Sequence, residues 1–145
     1  MGASVYLSKD EQEQIVKAIE SAELNTSGEI RVHIESLCKG DPVERAIYLF
    51  NKLKMYKTKE RNGVLIYIAM KSHKFAIIGD SGINEKVEEN FWDQERELLL
   101  THLKEGNIAE GLISVIEMAG NNLKKHFQYQ TDDTNEQSNE ISFGE

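Results

Sequence analysis

The chain has 145 residues, 39% hydrophobic and 29% charged, with one proline, ten glycines and one cysteine, which suits a single domain with a real core and excludes collagen-like, wholly disordered and disulfide-stapled classes. Cys38 has no second cysteine to pair with and no Cys/His cluster in sequence to join in a structural zinc site. The net charge of −8 is uneven: residues 128–145 carry five acids and no Lys or Arg, leaving −3 for residues 1–127, so nucleic acid is not the favoured partner despite the small group Lys52, Lys54, Lys57, Lys59 and Arg61.

No apolar run approaches the ~20 residues that cross a bilayer, and the opening residues lack a basic n-region and an apolar h-region. The expectation is a cytoplasmic chain with no transmembrane segment. Ser8 with Glu11 three residues on is a capping box, and Ile15, Val16, Ile19 and Ala22 recur behind it at helical spacing, which predicts a first helix over about 9–23. Residues 29–35 alternate strictly: Ile30, Val32 and Ile34 face a core, while Glu29, Arg31, His33 and Glu35 face the other way. Asp41 and Pro42 read as N-cap and N1 of a second helix of about 13 residues whose stripe is Ala46, Ile47, Phe50 and Leu53. The apolar run Val64 to Met70 is a central strand covered on both faces. Strand, helix, strand over 29–70 forms a right-handed βαβ unit with parallel strands. Lys71 to Lys74 are too few for another crossover, so Phe75 to Ile78 return as a hairpin. Two helices follow, at about 84–104 and 107–127. The fold class is α/β: a mixed, mainly parallel sheet of three to four strands with one hairpin and about four helices. Residues 1–127 form the domain, and residues 128–145, too polar to offset their ordering entropy, form an acidic disordered tail.

Several motifs are set aside. Gly79-Asp80-Ser81-Gly82 spells the tetrapeptide around a trypsin-like nucleophile, but the helices and single Cys deny it that scaffold, and it reads as a glycine-bracketed turn. Cys38 and Arg45 have six residues between them, one more than a phosphocysteine loop needs, and no Walker or Rossmann fingerprint is present. His33, His73, His102 and His126 are scattered, and the acids of residues 85–97 read as a solvated helix face.

The hairpin geometry brings polar residues to one rim. Because the return strand is antiparallel, Asp80 falls beside Arg61 and Asn62 at the entrance of the central strand, and Glu29 with Arg31 reaches the same edge from the first strand. Carboxylates among guanidinium groups make an anion site or a metal-and-phosphate site, with Glu85 a second carboxylate for a cation held by Asp80. An ordinary ion-pair network, Glu29 to Arg61 and Asp80 to Arg31, is the competing reading.

The stretches Ser8 to Val32, with Thr26-Ser27-Gly28-Glu29 inside it, and Thr58 to Ala69, with Arg61-Asn62-Gly63, together with the glycine turn after the hairpin, resemble the TPM domain family over about residues 5–127. Phe91-Trp92-Asp93 is similar to small soluble bacterial versions of it. The family is best known from a thylakoid-lumen acid phosphatase. The resemblance implies an α/β/α sandwich, and the family's recurring polar residues fall on Glu29, Arg31, Arg61, Asn62 and Gly63. An acidic loop ligand of many relatives is missing here, which leaves two alternatives: Asp80 or Glu85 substitutes for it, or the site is catalytically empty. Two functions remain open. One is a metal-assisted phosphomonoesterase acting on a small phosphorylated substrate, in which Arg31 and Arg61 hold phosphoryl oxygens, Asp80 and Glu85 hold calcium or magnesium, and Glu29 orients a water. The other, favoured because no ligand set is complete, is a non-catalytic module that docks a protein partner.

Overall fold

A computed structural model describes residues 2–128 and 138–145 of the chain. A short 3-10 turn (Ala3–Tyr6) precedes helix α1 (Lys9–Glu23), which opens on the expected capping box: Ser8 Oγ accepts from the Glu11 N–H at 3.0 Å and the Glu11 carboxylate accepts from the Ser8 N–H at 2.9 Å. Strand β1 (Glu29–Glu35) lies parallel to β2 (Gly63–Ala69), from Glu29 opposite Gly63 to Glu35 opposite Ala69. The crossover is helix α2 (Pro42–Lys52), with Asp41 as N-cap and Pro42 at N1. Strand β3 (Lys74–Gly79) returns antiparallel to β2, and helices α3 (Ser81–Asn84), α4 (Asp93–Lys104) and α5 (Ile108–Lys124) follow.

The pleat sorts the sheet into two cores. Ile30, Val32, Ile34, Val64, Ile66, Ile68 and Ile77 point to one face, where α1 supplies Ile15 and Ile19 and α5 supplies Leu112, Val115 and Ile116. Leu65, Tyr67, Ala69 and Ala76 point to the other, where α2 supplies Ala46, Leu49 and Phe50. Each fully buried aliphatic side chain contributes roughly 1.5–3 kcal/mol. The result is the three-layer α/β/α sandwich with a mixed sheet, ordered β3-β2-β1-β4, in which β4 is the short strand Ser142–Phe143.

Three expectations change. The helix expected over 84–104 is two helices separated by residues 85–92. Ile83 and Trp92 are both buried, yet nine residues at 100° each would place them on opposite sides of one continuous helix; the chain must break for both to reach the core. Helix α2 has 11 residues and Ile47 does not join its buried stripe: the inward positions are Ala46, Leu49 and Phe50, and Ile47 stays 50% exposed. The tail expected to be disordered over 128–145 instead lays residues 142–145 along the sheet, where strand β4 (Ser142–Phe143) pairs parallel to β1. Ile141 and Phe143 alternate with Ser142 and Gly144, a period-2 pattern that gives the segment an apolar side to pack. Gln128 bridges to Thr26, and the rest of that expectation falls on residues 129–137, outside the described residues.

Candidate functional site

The rim forms as the strand register requires. The Glu29 N–H donates to the Asn62 carbonyl at 3.3 Å, the Asp80 N–H to the Gly63 carbonyl at 2.9 Å, and the Gly82 N–H to the Arg61 carbonyl at 2.8 Å. These backbone bonds hold the starts of β1 and β2 against the end of β3. Gly82 is needed there, because a Cβ would meet the Glu60 carbonyl oxygen at 2.0 Å. Arg61 turns the chain at φ +52°, in the left-handed region.

The side chains on this rim are largely closed on one another. Arg61 forks onto Asp80, Nε to Oδ2 at 2.8 Å and Nη2 to Oδ1 at 3.0 Å, and the Ser81 N–H also donates to Oδ1 at 2.7 Å. Both oxygens of Asp80 are therefore engaged. Asn62 is buried; its N–H donates to Thr58 Oγ1 at 3.2 Å and its Nδ2 to Ser27 Oγ at 3.2 Å. Glu29 is buried against Glu23, the last residue of α1, whose carboxylate also accepts from the Ile30 N–H at 2.8 Å. Burial first, and the charge of Glu29 second, push Glu23 up to about 9. Arg31 is half-buried, its Nε has no hydrogen-bond partner among the described residues, and burial lowers its pKa. Glu85 is exposed and caps the C-terminal end of α3, whereas Asp80 caps its start. The ion pair that forms, Asp80 with Arg61, differs from both pairings expected of a network.

The two carboxylates expected to hold a cation, Asp80 and Glu85, stand at opposite ends of α3. Asp80 spends both oxygens on the Arg61 guanidinium and the Ser81 N–H. Among the described residues, no three His, Cys, Asp or Glu side chains come together as a set that could hold a metal ion.

A second polar cluster lies at the other end of β1, where sequence reasoning placed nothing. Arg45 of α2 forks onto Glu35, Nε to Oε2 and Nη2 to Oε1, both at 2.9 Å. The Tyr67 hydroxyl donates to the same carboxylate, and His33 Nε2 lies 3.3 Å from Oε1. Burial alone would raise Glu35, but the bonds from Arg45, Tyr67 and His33 outweigh it and hold the carboxyl below its ordinary value. Burial lowers His33, against the pull of Glu35. Its Nδ1 meets Ser142 Oγ at 2.9 Å. The available signal was the i, i+2 spacing of His33 and Glu35 on one strand face; their partners are distant in sequence.

Beside β3 a cleft of about 540 Å³ opens between α2, α3 and residues 87–92. Ile47, Phe50, Ile78, Val87, Phe91 and Trp92 line it, with Arg61, Asp80 and Arg96 among the polar residues. Phe91 and Trp92 pack edge to face with centroids 4.6 Å apart. Val43, one turn before Ile47 on α2, is 45% exposed and extends the apolar surface outward.

Comparisons with known proteins follow the same outline. The NMR structure of BA42 protein from the psychrophilic bacterium Bizionia argentinensis is 47% identical, covers 94% of each chain and has a TM-score of 0.89. The solution NMR structure of the N-terminal domain of cg2496 protein from Corynebacterium glutamicum is 14% identical over 88% of this chain and 78% of that one, with a TM-score of 0.64, a likeness of fold alone. No curated protein matches the chain. A family model described as the TPM domain matches residues 3–122. With that model spanning most of the sequence, the chain belongs to the TPM domain family.

Proposed function

We propose that the protein is a non-catalytic interaction module whose docking surface is the cleft beside β3 and the outer flank of α2. One observation carries this reading: Asp80, the acid best placed for chemistry, is closed on Arg61, while in the adjacent cleft Ile47 is 50% exposed and Ile78, Val87 and Phe91 are only half-buried. An aromatic and aliphatic floor with arginines at its margin is the composition of a protein-binding patch. The cleft volume of about 540 Å³ also lies within the range of roughly 300–1,000 Å³ for ligand sites. Under this reading the Arg61–Asp80 pair ties strand ends together. Arg61→Ala lowers the thermal midpoint and alters no turnover.

A photo-crosslinking residue at position 47 or 43, introduced in cells that make the protein, should yield the same discrete adduct from both positions and none from Glu117, which is exposed on α5. Random smears from all three positions would refute the docking surface.

Arg31 favours a second reading, a phosphomonoesterase, because a half-buried guanidinium with an unpartnered Nε is a receptor for a phosphoryl oxygen. Glu29 would then orient a water, and no step passes through Asp80 or a cation. Hydrolysis of an aryl phosphate by the purified protein, abolished in Arg31→Ala, would establish the enzyme and overturn the module. No turnover above that of Arg31→Ala supports the module.

A further inference from the structure

The edge of β1 opposite β2 is covered by a segment that arrives from the far end of the described chain. Gly144 N–H donates to the Ile34 carbonyl at 2.8 Å, Ser36 N–H to the Glu145 carbonyl at 2.7 Å, and Ala3 N–H to the Gly144 carbonyl at 3.0 Å. The segment therefore lies in a slot between β1 and the N-terminal turn. Its side chains alternate. Ile141 and Phe143 pack on the core side, in a groove with Lys9, Glu13 and Val16 of α1. On the other side, Ser142 Oγ meets His33 Nδ1 at 2.9 Å, and Gly144 lies over the Glu35–His33 pair. A Cβ at 144 would meet Glu35 Cβ and Oε1, each at 2.9 Å, and His33 Nε2 at 3.1 Å. The slot thus holds four successive residues by backbone bonds, shape and one side-chain hydrogen bond, which are the elements of peptide recognition by strand addition.

We infer that the edge of β1 is a strand-accepting site for an extended segment of the pattern apolar, Ser, apolar, Gly, and that residues 138–145 are its resident ligand. The site is separate from the cleft beside β3 and stands or falls independently of it. Hydrogen bonds to main chain supply binding that any extended segment could use; selectivity comes from His33 reading the serine and from the lack of room above Glu35. Covalent attachment gives the resident segment an effective concentration on the order of millimolar. A free segment of the same pattern therefore competes poorly with it until it is dislodged.

The test uses the full chain carrying Gly144→Val and a fluorescent peptide of residues 138–145, followed by anisotropy and by the His33 imidazole resonances. The variant should show shifted His33 resonances, bind the peptide one to one, and recover the wild-type His33 resonances on saturation. The wild-type chain should bind it at least tenfold more weakly, and a peptide with valine in place of the glycine should bind neither chain. Wild-type His33 resonances in the variant, no peptide binding by it, or equal binding by both chains would each overturn the inference. If Gly144→Val does not fold, Phe143→Asp removes the apolar anchor instead and is read against the same outcomes.

Discussion

Glu35 is a carboxylate with only 5% of its side chain exposed, and it remains charged because three different side chains donate to it. The Arg45 fork carries most of that support, so Arg45→Ala should cost about 2 kcal/mol, below the roughly 3–5 kcal/mol of a fully buried pair because Arg45 itself is 40% exposed. Urea unfolding at neutral pH measures it. In the variant, burial is less opposed, the Glu35 carboxyl moves upward, and acid unfolding begins at higher pH. This cluster was not legible in the sequence for a physical reason: the partners of Glu35 and His33 lie 10, 32 and 109 residues away. Strand alternation identifies a face but not what covers it. The opposite rim was legible, because a tight hairpin and a βαβ crossover are local rules that together place residues 29, 61 and 80 at one edge. What those rules could not supply was the pairing. Arg61 clasps Asp80, and Glu29 turns to Glu23, a residue that helical periodicity had marked only as the end of α1.

At the scale of elements, α1 and α5 meet so closely that a Cβ on Gly120 would lie 2.8 Å from Ala22 Cβ. Gly120→Val should force the two helices apart at a cost of about 2 kcal/mol, seen as a lower urea midpoint with an unchanged slope. The strands were readable because period-2 alternation in β1 and an unbroken apolar run in β2 are strong local signals. The break between α3 and α4 was not. Residues 85–92 contain Glu, Lys and Val, which a helix tolerates; the chain leaves the helix because Ile83 and Trp92 must both be buried. Ile47 shows the converse: it fits a helical stripe by spacing, but α2 lies across β2 and β3 so that Ala46, Leu49 and Phe50 fill the contact.

Across the whole molecule, buried carboxyls pull the pH dependence of folding in opposite directions. Glu35, held low, contributes stability that is present above the ordinary carboxyl value of 4.5 and is lost as pH falls through its folded value. Glu23, raised by burial and by Glu29 to about 9, contributes stability that is complete below 4.5 and is lost progressively as pH rises toward 9. Glu95, raised by burial, acts in the same sense as Glu23. The protein should therefore be most stable on the mildly acid side of neutral, and Glu23→Gln should flatten the decline between about pH 5 and 9, measured by urea midpoints across that interval.

The order in which a ribosome delivers the elements adds a constraint. Strand β1 emerges early, whereas the residues that seal its outer side, from Ile141 to Glu145, emerge after all of its other packing partners. Throughout most of translation the nascent domain must carry the Ile34 carbonyl and the Ser36 N–H without the partners that Gly144 and Glu145 later supply, an open edge on which neighbouring nascent chains can aggregate.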